Sequence, residues 1–253
     1  MKRALTIARR EIFSQLVTPL FFVLCASYLI LGGFFFFSLL LQFNSVLEQA
    51  KAVPETVTSL NEWVIRPFLE TLEIVTLFLL PLLTMRLIAE ERSQATFELL
   101  KTSPVRRSEI VLGKYLAFAS LYAVVLLLAF VFPVTLMFLA DPEVAPAVCG
   151  FLGLLLFGWA LGALGLAVSS LTRHQMVAGA ISLVLFLVLY LIDTPAPQLG
   201  GILGAILSAI TPASHTDNFV KGVVESGDCV YFVSVIFLGL FLANRALDWE
   251  ELH

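Results

Sequence analysis

Residues that could carry out chemistry are few in this sequence, and they form no known catalytic pattern. The three histidines stand at positions 174, 215 and 253, so no H-E-x-x-H zinc motif occurs, and no G-x-S-x-G nucleophile motif is present. The closest approach to a phosphate-binding loop is Gly113-Lys114. A Walker A motif would need Gly at 108 and Ser or Thr at 115, where the chain has Ser108 and Tyr115. We therefore expect this chain to bind no ATP and to contain no catalytic residue. The sequence predicts that the chain is not an enzyme.

The cysteines do not indicate a metal site either. Cys25, Cys149 and Cys229 each lie in or beside an apolar run and are far apart in the sequence. Zinc sites and disulfide frameworks require several cysteines at characteristic spacings. We therefore expect no metal ligand and no cofactor-binding residue in this chain.

The composition places most of the chain in lipid. Hydrophobic residues make up 59% of the 253 residues and charged residues only 13%, whereas a soluble domain has about 45–50% and about 25%. No water-soluble fold could bury this much apolar surface, which excludes a soluble enzyme. The net charge of −4 also argues against a nucleic-acid partner. The sequence predicts one all-α integral membrane domain over residues 1–253, with membrane lipid as its surroundings.

Six apolar stretches are long enough to be considered as membrane spans, which need about 20 residues. The predicted spans cover about 19–43, 67–88, 112–140, 147–171, 176–192 and 229–246. The fifth is the shortest. A further apolar run at 199–210 is too short to cross and predicts a re-entrant or interfacial helix on the outer side.

The lysines and arginines predict the orientation. With the N-terminus inside, 12 of them fall on inner segments and 3 on outer segments, as positively charged cytoplasmic loops require. We therefore predict a multi-pass protein of the plasma (inner) membrane with both termini in the cytoplasm. The inner residues are Lys2, Arg3, Arg9, Arg10, Arg86, Arg92, Lys101, Arg106, Arg107, Lys114, Arg173 and Arg245, and the outer ones are Lys51, Arg66 and Lys221.

The segment before the first span, residues 1–18, places apolar side chains at helical spacing among basic ones. This pattern is typical of an amphipathic helix lying on the inner leaflet, and a frayed basic tail is the alternative.

One group of ionisable residues falls at the outer end of the second span. Arg66, Glu70 and Glu73 stand at i, i+4 and i+7, on one face of a helix. An ionisable residue inside a span is a candidate for function, as a polar pathway or a proton-sensitive site. The alternative is structural, because Glu73 is shallow enough to reach water or to pair with Arg66.

Small and aromatic residues give two packing predictions. Gly158 and Gly162 form a G-x-x-x-G in the fourth span, which favours close helix packing, either within the bundle or at a dimer seam. The run of four phenylalanines at 34–37 predicts bulk that faces lipid.

The inner loop between the second and third spans carries the most informative motif. It contains Arg86, then Glu90-Glu91-Arg92, then Thr96-Phe97-Glu98-Leu99-Leu100, the turn Thr102-Ser103-Pro104-Val105, and Glu109 followed by Gly113-Lys114. A solvated loop would have no need of Phe97, Leu99 and Leu100. An apolar knob surrounded by charge, on a short helix between Thr96 and Ser103, predicts docking to another protein.

This loop resembles that of the permease subunits of ABC-2 type transporters, which share the T-x-E-x-L, T-x-P-V and E-x-x-x-G-K elements in this order. Ala95 departs from the glycine common in that family. The resemblance covers the whole chain, because Arg9-Arg10-Glu11 is similar to the family's connecting helix. The stretch Asp217-Asn218-Phe219, with Gly222-Val223 and Tyr231-Phe232, is similar to the branch of gliding-motility and nitrous-oxide-reductase-maturation permeases.

The resemblance implies a six-span permease that pairs with a second permease copy or a relative, above two cytoplasmic ABC ATPases. The inner loop would be the coupling helix seated in a cleft of the ATPase. In that role Phe97, Leu99 and Leu100 would form the buried knob, Glu90, Glu91, Arg92 and Glu98 the charged collar, Thr96 would start the helix, and Pro104 would set a rigid exit into the third span.

Three functions follow as hypotheses. The first is a permease, expected to export an unidentified substrate with energy from a separate ATPase. The second is an ATP-driven mechanotransmitter, which passes force to an outer-face partner without transport and would use the segment 194–228 as its contact. The third, a membrane-embedded enzyme, has little support because no nucleophile–base set occurs.

Overall fold

The computed structural model describes residues 2–50, 59–93, 106–139, 143–192 and 201–249. These residues are almost entirely helical and include no β-strand, which confirms the predicted all-α class. In chain order the helices are α1 (Lys2–Val17), α2 (Pro19–Ala50), a π-helical turn (Asn61–Ile65), α3 (Arg66–Thr84), α4 (Ala89–Ser93), α5 (Arg107–Ala129), α6 (Val131–Leu139), α7 (Val144–Leu171), α8 (Gln175–Leu191), α9 (Gly201–Ile210), α10 (Pro212–Val220) and α11 (Ser226–Trp249).

Five helical stretches in the described part of the chain are long and apolar enough to cross a membrane. They are Pro19–Glu48, Asn61–Thr84, Arg107–Phe138, Val144–Leu171 and Ser226–Asp248. Helix α8, where the fifth span is predicted, has 17 residues, and it would extend about 26 Å at 1.5 Å per residue. The bundle is therefore a multi-pass membrane fold, and the count of six spans stays a prediction.

The third predicted span is interrupted in the structure. Helix α5 ends at Ala129, Phe130 lies in a turn, and α6 begins at Val131. Pro133 follows closely. A proline has no N–H to donate to the residue four positions earlier, and its ring crowds that carbonyl, so a helix is kinked just before it.

Helix α7 lies at the centre of the bundle. It packs against α3, α5, α8, α10 and α11, and most of its residues are buried. Its small residues make this possible, because glycine and alanine let neighbouring helices approach from several sides.

The phenylalanine run on α2 is split between two environments. Phe36 is buried, with its ring centroid 5.1 Å from that of Phe68 and 5.6 Å from that of Phe132. The rings of Phe34, Phe35 and Phe37 are exposed. Four consecutive residues cover every direction around a helix, so one of them must point toward the bundle. The prediction of lipid-facing bulk is wrong for Phe36.

Helix α1 packs against α5, and it buries Ala4 and Ala8, which lie one turn apart. Leu5, Phe13 and Val17 point away from the bundle. The position of this helix on the inner leaflet stays a prediction.

Candidate functional site

The predicted coupling segment begins on a turn that is bonded to the central helix. After α3 ends, the chain turns at 85–88 and enters α4 at Ala89. The hydroxyl of Ser169, on α7, accepts hydrogen bonds from the backbone N–H groups of Ile88 at 3.2 Å and Ala89 at 3.1 Å. It donates to the carbonyl of Met85 at 3.2 Å. A displacement of the start of α4 would therefore be transmitted to α7 through direct bonds.

This attachment is fully enclosed. Ser169, Leu87, Ile88 and Ala89 are all 0% exposed. Buried backbone N–H groups without a partner are costly, and the first N–H groups of a helix have none within the helix. Ser169 supplies that partner from another span, a role that no sequence motif indicated.

The predicted collar is only partly described. Glu90 and Arg92 lie on α4 and are half-buried, and Glu91 lies between them. Six further coupling residues lie outside the described residues: Thr96, Phe97, Glu98, Leu99, Leu100 and Pro104. The knob, the remainder of the collar and the rigid exit therefore stay predictions.

The two motifs flanking the first and third predicted spans contact each other. Lys114, on α5, is 1% exposed, and its Nζ lies 3.4 Å from Oε2 of Glu11 on α1. Next to it, a Cβ on Gly113 would lie 2.8 Å from Cβ of Ile7 and 2.9 Å from the carbonyl of Ala4. Gly113 therefore allows the backbones of α1 and α5 to come into contact where the two helices cross. The ion pair between Lys114 and Glu11 stabilises this crossing.

The same end of the bundle holds a second tie. Arg107, at the start of α5, forms an ion pair with Asp248, near the end of α11. Glu109 accepts a hydrogen bond from the backbone N–H of Arg106 at 3.3 Å and so closes the first turn of α5. The start of α5, where the predicted inner loop ends, is therefore joined by ion pairs to α1 near the N-terminus and to α11 near the C-terminus.

The G-x-x-x-G glycines lie beneath aromatic rings of α5. A Cβ on Gly158 would lie 2.1 Å from a ring carbon of Tyr122, and one on Gly162 would lie 1.9 Å from a ring carbon of Phe118. Both distances are far below van der Waals contact. The two glycines therefore pack within this chain.

Two hydrogen bonds hold the same helix pair. The indole N–H of Trp159, on α7, donates to the carbonyl of Ala119 on α5 at 3.1 Å. The hydroxyl of Tyr115 donates back to the carbonyl of Trp159 at 3.2 Å. Polar bonds between spans replace water, which is absent in lipid.

The polar group predicted at the outer end of the second span contains a partner that sequence spacing did not reveal. Arg66 donates through Nε to Oε1 of Glu70 at 3.0 Å and through a terminal nitrogen to Oδ1 of Asp217 at 3.0 Å. Asp217 also pairs with Lys221 at 2.6 Å. These side chains are more than 40% exposed, so each pair contributes little to stability. Glu73 is buried at 6% exposure, and its role stays a prediction.

A chain of hydroxyls runs through the buried interior near Glu73. The Tyr28 hydroxyl lies 3.1 Å from Oγ1 of Thr76, which lies 3.4 Å from the Tyr122 hydroxyl. Tyr122 in turn donates to the carbonyl of Leu154 at 3.1 Å. This chain joins α2, α3, α5 and α7. The hydroxyl-bearing residues Tyr28, Thr76 and Tyr122 inside apolar spans were the signal that could have suggested it.

The described residues contain no group of three or more His, Cys, Asp or Glu side chains placed to hold a metal ion. Their polar side chains connect helices to one another. The fold and these contacts define a multi-pass membrane bundle whose helices are joined by polar side chains at both ends and in the interior.

A family model described as ABC-2 family transporter protein matches residues 5–243, nearly the whole chain. This chain therefore belongs to the ABC-2 transporter family, as its inner loop predicted, and it is the membrane component of an ABC transporter. Membership implies an ABC ATPase as a partner and usually a second permease. No curated protein matches the sequence. The resemblance to the gliding-motility branch stays a prediction.

Proposed function

We propose that this chain is the permease subunit of an ABC exporter, which moves an unidentified substrate across the plasma (inner) membrane with energy from a separate cytoplasmic ATPase. The observation that carries this proposal is the attachment of α4 to α7 through Ser169. A segment that receives movement from an ATPase must be joined rigidly to a span. The Ser169 hydroxyl provides that joint, because it accepts two hydrogen bonds from the backbone at the start of α4 and donates one to the carbonyl of Met85.

The coupling residues act as one surface in this proposal. Phe97, Leu99 and Leu100 enter an ATPase cleft, Glu90, Glu91, Arg92 and Glu98 surround it, and Thr96 and Pro104 bound the helix. Aromatic anchors in desolvated pockets dominate the energy of such interfaces, and surrounding charges add specificity.

The ion pairs of Lys114 and Arg107 would transmit movement of the inner loop to other helices. Because α1, α5 and α11 are joined there by charged pairs, a push on the inner loop would shift them together. A second permease copy, or a relative, completes the translocation path, and both termini lie in the cytoplasm.

The test is to purify the chain from its native host with a mild detergent. We expect an ABC ATPase and a permease partner to co-purify, ATP turnover by the complex, and none by this chain alone. Ser169→Ala should lower the stimulation of the ATPase while the complex stays assembled. Ser170→Ala is the matched control, because among the described residues its hydroxyl bonds only the carbonyl of Ala167 within α7. Turnover by this chain alone, or the absence of any ATPase, would refute the proposal.

The mechanotransmitter remains a second candidate because of one observation. Helices α9 and α10 are bonded to the start of α11 by side-chain hydrogen bonds, including one from Asn218 to Asp228 at 3.0 Å. An ordered outer segment of this kind could contact another protein. Proteoliposomes containing the complex separate the two candidates, since ATP-driven movement of a co-purified substrate is expected only of the exporter.

A further inference from the structure

The end of helix α9 is closed by side chains. The last four carbonyls of any α-helix have no partner within it and are usually satisfied by water. In α9 the carbonyl of Leu207 still accepts the backbone N–H of Thr211 at 3.2 Å. All four carbonyls are, in addition, within hydrogen-bonding distance of a side-chain donor from α10, from α11 or from the residue between α9 and α10. We call these four donors the carbonyl cap: Thr211 on Leu207 at 2.8 Å, Ser214 on Ser208 at 2.6 Å, His215 on Ala209 at 3.4 Å, and Tyr231 on Ile210.

Three members of the carbonyl cap are hydroxyls, which donate at any physiological pH. His215 is different, because its ring lies between two acceptors. Nδ1 is 2.7 Å from Oδ1 of Asp228, and Nε2 is 3.4 Å from the carbonyl oxygen of Ala209. A neutral imidazole has one N–H and can donate only one of these bonds, whereas the protonated ring donates both.

The surroundings hold this ring in place. Its face stacks on Tyr231, with centroids 3.9 Å apart. The side chain of Asp228 is 8% exposed, and its second oxygen accepts a hydrogen bond from Asn218 at 3.0 Å. The side chain of His215 is 22% exposed, so the ring reaches the molecular surface.

Few other ionisable groups lie nearby in the described structure. Helix α9 carries no titratable residue, and α11 presents Asp228 and Tyr231 to the ring. On α10 itself, the carboxylate of Asp217 is engaged by Arg66 and Lys221. Of the other helices packed against α10, α7 carries Cys149 and α8 carries Tyr190. Glu225 is exposed and stands three residues before Asp228, in the segment that leads into α11. Asp228 is therefore the charge that acts most directly on the ring.

We propose that His215 is a proton-binding site and that its proton links the end of α9 to the start of α11. The protonated ring donates to Ala209 and to Asp228 at once. When it loses the proton, it keeps the bond to Asp228, and the lone pair of Nε2 faces the carbonyl oxygen of Ala209. The linked state binds the extra proton, so low pH favours it and rising pH releases the end of α9.

In the predicted orientation this site faces the outside, so the outer pH controls how firmly α9 is held. The link does not depend on transport or on an ATPase. Evidence against the exporter proposal would not affect the proposed proton site at His215, and evidence against the proton site would not affect the exporter proposal.

Hydrogen exchange of the full chain in lipid nanodiscs tests the proposal. Protection of the last turn of α9, residues 207–210, is measured at pH 5.5 and pH 8.0, across the range in which imidazole changes charge. Each rate is normalised to the intrinsic amide rate at that pH. We expect protection about three- to tenfold higher at pH 5.5, the effect of one hydrogen bond.

Matched variants assign the effect. His215→Gln should remove the pH dependence, because an amide donates equally at both values. His174→Gln should retain it, since His174 is exposed and precedes α8. Tyr231→Phe should lower protection at both pH values and leave their ratio unchanged, because it removes only a hydroxyl donor.

Should His215→Gln fail to fold, Asp228→Asn provides the same test. The amide of an asparagine can donate to Nδ1, which lets a neutral ring keep its N–H on Nε2 for the carbonyl of Ala209, so the dependence of protection on pH should be lost. Equal protection of the native chain at both pH values, or pH dependence that persists unchanged in His215→Gln or Asp228→Asn, would overturn the proposal.

Discussion

The ammonium of Lys114 lies 3.4 Å from the carboxylate of Glu11, and this pair joins the N-terminal helix to the start of the third predicted span. Lys114 is 1% exposed, although it stands only seven residues into α5. A buried ammonium is stable only when its charge is compensated. The pair therefore explains why a lysine can occupy this position, and it makes α1 an integral part of the bundle.

We expect Glu11→Ala to lower the free energy of unfolding of the purified permease by about 2 kcal/mol, because Lys114 then loses a carboxylate partner in a site closed to water. Arg10→Ala, an exposed neighbour on the same helix, is the control and should have little effect. Thermal unfolding in detergent measures both. If Glu11→Ala and Arg10→Ala behave alike, the pair has no structural role.

We expect Gly162→Ala to destabilise the permease by about 1–3 kcal/mol, because the added methyl would overlap the ring of Phe118. Gly227→Ala is the matched control, since a Cβ there meets nothing within 4 Å. Thermal unfolding and the oligomeric state should be measured together. Loss of dimers without loss of stability would instead place Gly162 at a dimer seam.

We expect Phe97→Asp to uncouple the ATPase without unfolding the permease. If the ring fills an ATPase cleft, its loss should weaken binding by about 2 kcal/mol or more, and a buried unpaired carboxylate adds to this. Co-purification of the ATPase should fall sharply, whereas melting of the isolated permease should change little. Thr102→Asp adds the same charge elsewhere in the loop and serves as the control. Retained binding, or collapse of the isolated permease, would contradict the coupling role.

We expect single cysteines in a cysteine-free background to report both termini in the cytoplasm. A cysteine at Val224, which is exposed between α10 and α11, should react with an impermeant maleimide in intact cells. A cysteine at His174, exposed between α7 and α8, should react only after permeabilisation. The 12-to-3 distribution of basic residues motivates this expectation. The reverse pattern would refute the orientation.

Some of the fold could be predicted because lipid imposes simple rules. Backbone groups in a membrane must be bonded within a helix, so long apolar runs indicate helices directly. Arg66 and Glu70, one turn apart, were likewise predicted on one face, and they form an ion pair. The fifth predicted span shows the limit of this approach, since α8 is only 17 residues long and composition alone does not set how a helix sits in the membrane.

The sequence by itself determined the all-helical membrane class and the family, because composition, helical period and the motif of the inner loop are local properties of the chain. Only the tertiary structure decided which distant residues meet. Glu11 and Lys114 are 103 positions apart, Ser169 and Ala89 are 80 apart, and Arg66 and Asp217 are 151 apart. Such contacts depend on how the helices cross and rotate, which results from packing summed over many side chains, and no local pattern records it.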